Sequence, residues 1–154
     1  MKNSVIIFGA QYLYLLLALF AFVWFLRLPR QTKKEVLIIG LITGALALLL
    51  GRLIAIFYFD PRPFVSGHFT PLIPHDPDNG FPSDHTLLSS AIAMTVTLRD
   101  RRAGALLWVV ALLVGMARIA SGLHSATDVI GSFVLALCAG LVADRLEARI
   151  SRRT

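Results

Sequence analysis

Apolar residues fall in five runs separated by short polar breaks. The first, Val5–Leu26, contains one strongly polar residue, Gln11. The second, Val36–Phe59, is interrupted only by Arg52. The third, Thr86–Leu98, is short, but a helix beginning at Pro82 or Ser83 would reach about 24 Å at ~1.5 Å per residue. The fourth and fifth are Ala103–Ala120, with Arg118 near its end, and roughly Ala126–Val142, separated by the turn Ser121–Ser125. A membrane-crossing helix needs about 20 mostly apolar residues, so this pattern predicts an all-α polytopic bundle of about five transmembrane helices. Residues 1–154 form a single domain in this reading. The segment Asp60–Pro82 holds six of the seven prolines and is too polar and too broken to lie in lipid. The first run is longer than the ~7–15-residue apolar core of a signal peptide, and no small-residue cleavage site follows it.

Composition agrees with the pattern. Of 154 residues, 56% are hydrophobic and 16% charged, whereas a soluble domain carries about 25% charged residues. Mean hydropathy is +0.74. These values exclude disorder, and five apolar runs leave too little polar surface for a soluble bundle. A single cysteine, Cys138, excludes an internal disulfide framework and a cysteine-based zinc site.

The net charge of +6 suggests nucleic acid only until its positions are read. Eleven of the fifteen basic residues fall in three segments: Arg27, Arg30, Lys33 and Lys34; Arg99, Arg101 and Arg102; and Arg145, Arg149, Arg152 and Arg153. With five spans, all three lie on one side of the membrane. The positive-inside bias makes that side the cytoplasm. The expected topology places the N-terminus and the Pro-rich loop outside and the C-terminus inside.

The outer side then holds the unusual polar residues: Arg62, His68, His75, Asp76, Asp78, Ser83, Asp84, His85, Arg118, His124 and Asp128. Ionisable groups at a membrane edge are costly and point to function. His124 and Asp128 are four residues apart, one helical turn, so the carboxylate can orient the imidazole and leave its other nitrogen as a nucleophile. Ser83 is placed to cap the third helix, whose first turn would offer amides and a positive dipole end to an anion. His85 sits in that turn, where it could donate a proton to a leaving group. Arg62 lies between Pro61 and Pro63, and Arg118 ends the fourth span; two converging guanidiniums suit a phosphate. The loop residues His68, His75, Asp76 and Asp78 read better as solvated than as a zinc site.

Taken together, Arg62-Pro63, Pro82-Ser83-Asp84-His85 and Ala117-Arg118-x5-His124-x3-Asp128 resemble the three motifs of the type 2 phosphatidic acid phosphatase family, which shares its core with haloperoxidases. The resemblance spans residues 36–142. The family's first-motif lysine falls at Ala55. Arg52, one turn earlier on the same face, is a partial stand-in. Ala117 stands for the family's serine, and Asp84 for its glycine. The strings Pro61-Arg62-Pro63-Phe64-Val65, Leu72-Ile73-Pro74-His75 and Phe81-Pro82-Ser83-Asp84-His85-Thr86 are similar to a narrower group, the bacitracin-resistance type of undecaprenyl-diphosphatase, in which Pro-Ser-Asp-His is usual. Family members often carry an additional N-terminal helix; here the first span begins almost at Met1.

The resemblance implies an outward-facing membrane phosphatase without metal or cofactor. His124 would be the nucleophile, Asp128 its orienting carboxylate and His85 the acid. Arg62, Arg118, Ser83 and Asp84, with Arg52, would form the substrate site. The expected substrate is an isoprenoid lipid diphosphate, undecaprenyl diphosphate first. The alternatives are a phospholipid phosphatase acting on phosphatidic acid or phosphatidylglycerol phosphate, and a non-catalytic lipid binder, which would not need both histidines.

Overall fold

The computed structural model describes residues 2–151. Arg152 and Arg153, counted above in the basic tail, lie outside the described residues. Seven helices follow in order: α1 (Lys2–Gln11), α2 (Leu13–Leu26), α3 (Arg30–Phe57), α4 (Pro63–Ser66), α5 (Asp84–Thr97), α6 (Arg101–Ala120) and α7 (Ala126–Ser151). Among the described residues there is no strand, only an isolated bridge between Pro61 and Asn79.

Three helices are long and apolar enough to cross a membrane: α3, α6 and α7. The chain is an integral membrane protein. Its exterior is apolar: Leu41 and Ile56 on α3, Val109 on α6 and Ile130 on α7 are all more than half exposed. In water such a surface would be untenable; in lipid it faces its own kind.

Two of the expected spans take a different form. The first run is not one helix but two, bent by 46° at Tyr12. The carbonyl of Ala10, at the break, accepts a hydrogen bond from Arg118 Nη1 at 3.4 Å. A side chain inserted into the ladder of a helix is a recognised cause of a sharp kink. Beyond the bend, Ile7 and Ala10 of α1 pack in one cluster with Phe64, Ile73, Ala117 and Leu123. The α1 helix therefore covers the loops at the far end of the bundle.

The third expected span is a central post. With 14 residues, α5 is about 21 Å long. It packs against α2, α3, α6 and α7. Its small and polar residues suit that position: Ser89, Ser90, Thr95 and Thr97 each donate a hydroxyl to the carbonyl four residues earlier, at 2.7–2.8 Å. These bonds satisfy the hydroxyls without a partner helix. Gly104 on α6 and Gly140 on α7 leave room for Thr97 and Met94 of α5.

At the basic end, Arg99 joins three elements. It donates to Glu35 Oε2 of α3 at 3.1 Å, and to Asp144 Oδ1 and Glu147 Oε2 of α7 at 2.9 and 3.1 Å. These pairs explain why α7 continues past Val142, where the apolar run stops: its charged last turns are held by Arg99. Lys33 caps the carbonyl end of α2 through Leu26 O at 2.9 Å.

Candidate active site

At the opposite end, Arg62 of the Pro-rich loop meets Arg118, His124 and Asp128. His124 occupies the turn between α6 and α7. Gly122 enables that turn: its φ of +80° lies in the left-handed region, and a Cβ there would also meet the Phe69 ring at 2.6 Å. The imidazole is 2% exposed and Asp128 is fully buried.

The His124 ring is held on both sides. Its Nδ1 faces two acceptors, the Gly80 carbonyl at 2.9 Å and Asp128 Oδ2 at 3.3 Å. Its Nε2 faces two donors, Arg118 Nη2 at 3.1 Å and Arg62 Nη1 at 3.3 Å. Only one tautomer satisfies all four: the proton on Nδ1 and the lone pair on Nε2. Burial pushes the ring's pKa below the ordinary histidine value, and both guanidiniums push the same way. The bond to Asp128 opposes them. The net direction is down, so the ring is neutral at pH 7.

Both arginines are 5% exposed and each is anchored. Arg62 donates Nε to Asp78 Oδ1 at 2.6 Å and Nη1 to the Leu123 carbonyl at 3.0 Å. The hydrogen bond from Arg62 holds the Asp78 carboxyl below the usual carboxylate range. Arg118 reaches the Ala10 carbonyl as described. Its Nε, and Oδ1 of Asp128, are buried with no hydrogen-bond partner among the described residues. Two buried guanidiniums around one lone pair, with donor capacity to spare, form a receptor for an oxyanion.

The Gly80 carbonyl is set by Asn79. That side chain accepts from the amides of Asp60 and Phe81, at 3.0 and 3.1 Å, and donates to Tyr58 O at 2.9 Å and Ala55 O at 3.4 Å. A Cβ at Gly80 would lie 2.8 Å from Asp128 Oδ2 and 3.1 Å from the Asp60 carbonyl, so a larger residue there would displace the carboxylate from its place beside the imidazole. Asp60 Oδ2 accepts from Ser125 Oγ at 2.8 Å, and Asp128 Oδ2 accepts from Ser125 N at 2.8 Å. Thus the Pro-rich loop and the start of α7 lock together around the imidazole.

The other expected site residues surround this centre. Ser83 stands at the N-cap position of α5, but its hydroxyl does not cap. It bonds to Thr86 Oγ1 at 2.9 Å, and no side chain caps α5 among the described residues. The expectation of a serine cap is corrected: Ser83 is buried against Thr86, and its carbonyl accepts from Ser132 Oγ of α7 at 3.1 Å. His85 packs edge-on against Tyr14, with ring centroids 4.7 Å apart at 85°. It lines a cleft together with Arg118. Asp84 is exposed and pairs with Arg52 at 3.5 Å, so Arg52 stands at the rim rather than against His124.

His75 and Asp78 come within 3.8 Å, but no group of three or more histidine, cysteine, aspartate or glutamate side chains is placed to hold a metal ion among the described residues. Sequence reading missed the Gly80 carbonyl, the Ser125–Asp60 bond, the anchoring of Arg62 by Asp78, and Tyr14. The turn-forming string Asp78-Asn79-Gly80 was a signal for the first. Tyr14 had none, since an aromatic in an apolar run reads as core.

Residues 35–151 match the family model of the PAP2 superfamily. The chain belongs to the PAP2 superfamily. Among PAP2 relatives, it is 39% identical over 145 residues to "Undecaprenyl-diphosphatase BcrC" of Bacillus subtilis (strain 168), covering 94% of this chain and 75% of that protein. It is 35% identical over 143 residues to "Bacitracin transport permease protein BcrC" of Bacillus licheniformis, covering 92% and 70%. Two solved structures share the fold at 23% identity. Aquifex aeolicus LpxE superposes with a TM-score of 0.75 over 94% of this chain and 86% of its own. A transmembrane PAP2-type phosphatidylglycerolphosphate phosphatase from Bacillus subtilis gives 0.66 over 97% and 78%.

Arg52 offers a direct check. An exposed ion pair is worth about 0–1 kcal/mol, so its loss should not disturb the fold. If Arg52 supplies part of the charge absent at Ala55, Arg52→Ala raises KM for an anionic lipid by about two- to tenfold at low ionic strength, an effect that salt erases. Unchanged kinetics would make Arg52 a structural or lipid-facing residue.

Proposed function

We propose that this PAP2-superfamily protein hydrolyses undecaprenyl diphosphate to undecaprenyl phosphate and inorganic phosphate through a phosphohistidine at His124. The observation that carries the proposal is the state of His124: Nδ1 faces two acceptors and Nε2 faces two buried guanidiniums. That geometry keeps a lone pair where a phosphoryl group would be bound. The 39% identity to a protein named undecaprenyl-diphosphatase supports the choice of substrate.

In the first step Arg62 and Arg118 exchange their contacts to Nε2 for contacts to the terminal phosphoryl oxygens. Nε2 attacks that phosphorus, and the N–P bond forms as the bond to the bridging oxygen breaks. His85, protonated beside the bound anion, gives its proton to that oxygen, and lipid monophosphate departs. The phosphorylated ring retains its Nδ1 proton and is positive; the Asp128 carboxylate and the Gly80 carbonyl offset that charge. In the second step a water attacks phosphorus and His85 takes its proton. The N–P electron pair returns to Nε2, and phosphate leaves. Fixed positive charge around the transferred group supplies most of the catalysis in such reactions. The buried Ser83 and the first-turn amides of α5, with exposed Asp84 at the rim, complete the substrate site in this reading.

Phosphate release from the purified protein, measured with undecaprenyl diphosphate, phosphatidic acid and phosphatidylglycerol phosphate, tests the substrate. The diphosphate should give the highest kcat/KM, and EDTA should leave most of that activity. A phospholipid ranking first would overturn the substrate assignment; loss on chelation restored by magnesium or zinc would overturn the mechanism.

The orientation belongs to the same proposal. The site lies at the end opposite the basic clusters, so it faces outward under the positive-inside bias. An impermeant thiol reagent applied to intact cells should label a cysteine placed at Gly67 and spare one at Asp100, in a background lacking Cys138. The reverse pattern would invert the protein.

A further inference from the structure

Between the elbow of α1 and α2, the Pro-rich loop and the near ends of α5 and α6 lies a cleft of ≈ 290 Å³. It is lined by Gln11, Tyr12, Ile73, His75, His85 and Arg118. His85 and Arg118 belong to the reaction centre. Gln11 and Tyr12 precede residues 35–151, so the family match does not extend to them. The polar lining is an amide, a phenol, two imidazoles and a guanidinium, with no carboxylate among these six residues. That set offers donors to an anion.

One observation indicates that an anion belongs there. Arg118, 5% exposed, has a buried Nε with no partner among the described residues. A buried donor left unpaired is costly, and a ligand oxygen would satisfy it. Nδ1 of His75 donates to the Asp76 carbonyl at 3.2 Å, so Nε2 is a lone pair in the neutral ring and a donor to an anion only in the imidazolium. The elbow itself is built for this position: Arg118 draws the Ala10 carbonyl to itself, and Tyr14, next along α2, packs edge-on against His85. The bend thereby places Gln11 on the side of the acid, where the leaving group must sit.

We propose that this cleft is the subsite for the phosphate that stays with the lipid, and that Gln11 and His75 determine specificity for a diphosphate over a monophosphate. The inference rests on the hydrolase reading above and deepens it. In a lipid diphosphate the group leaving from His85 begins with a second phosphate, which carries one negative charge in the substrate. Gln11 donates its amide N–H to that phosphate, Arg118 its Nε–H, and His75 its Nε2–H when protonated. In a lipid monophosphate the same cleft receives an alkyl or glyceryl chain and its donors go unpaired. Selectivity then comes from polar groups that only one substrate satisfies. The tail continues outward past Tyr12 and Leu16, both half exposed on the apolar exterior.

The test is equilibrium binding of two soluble probes, inorganic phosphate and methylenediphosphonate, to the full-length protein in detergent micelles. Wild type should bind the diphosphonate more tightly, by about tenfold or more. Gln11→Glu places a carboxylate in the cleft and should erase that preference. His75→Phe, on the opposite wall, should reduce it while phosphate still binds. Retained phosphate binding reports an intact reaction centre in each variant. The proposal is overturned if both variants keep the wild-type preference, or if both lose the two probes in parallel, which would make the elbow a structural prop. Hydrolysis assays separate the two readings: a wild type that prefers the diphosphonate yet cleaves no lipid phosphate would defeat the hydrolase and leave the subsite standing.

Discussion

His124→Ala should abolish hydrolysis of lipid diphosphate and the phosphoenzyme together. The ring has no substitute: among the described residues, it is the imidazole whose nitrogen faces both Arg62 and Arg118. Removing a nucleophile that works as a unit with its activating groups costs about 10⁴–10⁶-fold. Rapid quench into alkaline denaturant with terminally ³²P-labelled substrate should trap an alkali-stable, acid-labile adduct in wild type and none in the variant. A labelled or active His124→Ala protein would end the assignment.

The same residue determines the acid side of the pH profile. Burial and two guanidiniums lower the proton affinity of His124. The reactive neutral form is therefore present above the lowered pKa and lost as pH falls through it. The acid limb of kcat/KM should lie below the ordinary histidine value of about 6.5. Asp128→Asn removes the opposing charge and should move that limb lower still. It should also slow turnover, because the phosphorylated ring loses its counter-charge. The tautomer should survive, since the Gly80 carbonyl is the closer of the two Nδ1 acceptors.

His85→Ala should slow lipid diphosphate hydrolysis by about 10²–10⁴-fold, the usual contribution of a general acid. The loss should shrink with an activated aryl phosphate, whose leaving group departs with little protonation. It should shrink only for formation of the phosphoenzyme; breakdown, in which His85 takes a proton from water, should stay slow, so the trapped adduct should accumulate. This accumulation distinguishes the acid from the nucleophile, whose loss prevents any adduct. An equal loss with good and poor leaving groups and no accumulation would make His85 a binding residue.

Much of this protein could be read from residues close together in the chain. The fourth apolar run predicts a helix ending at Ala120, and α6 ends there. Arg118, His124 and Asp128 lie within eleven positions, so one turn and the start of one helix nearly suffice to bring them together. The eleven basic residues at three breaks sort the ends of the bundle by composition alone. Where the local pattern was equivocal, packing chose. The run Thr86–Leu98 is too short to span a membrane by itself, and it forms a post whose small residues four helices surround. The run Val5–Leu26 is continuous in sequence, and it bends by 46° at Tyr12, where Arg118, 108 positions away, donates to the Ala10 carbonyl.

Hydrophobic periodicity and local motif spacing, both short-range, determined the all-helical membrane class, the helix positions and the histidine–carboxylate pair. The tertiary structure alone decided which distant groups meet: Gly80 O and Arg62 on His124, Asp78 on Arg62, Tyr14 on His85, and, at the other end, Asp144 and Glu147 on Arg99. These contacts span from sixteen to 71 residues of chain, and one of them is made by a backbone carbonyl that every residue possesses. Periodicity shows which face of a helix is buried, but not which distant buried donor must find which acceptor; that pairing is set when the helices pack and water is excluded.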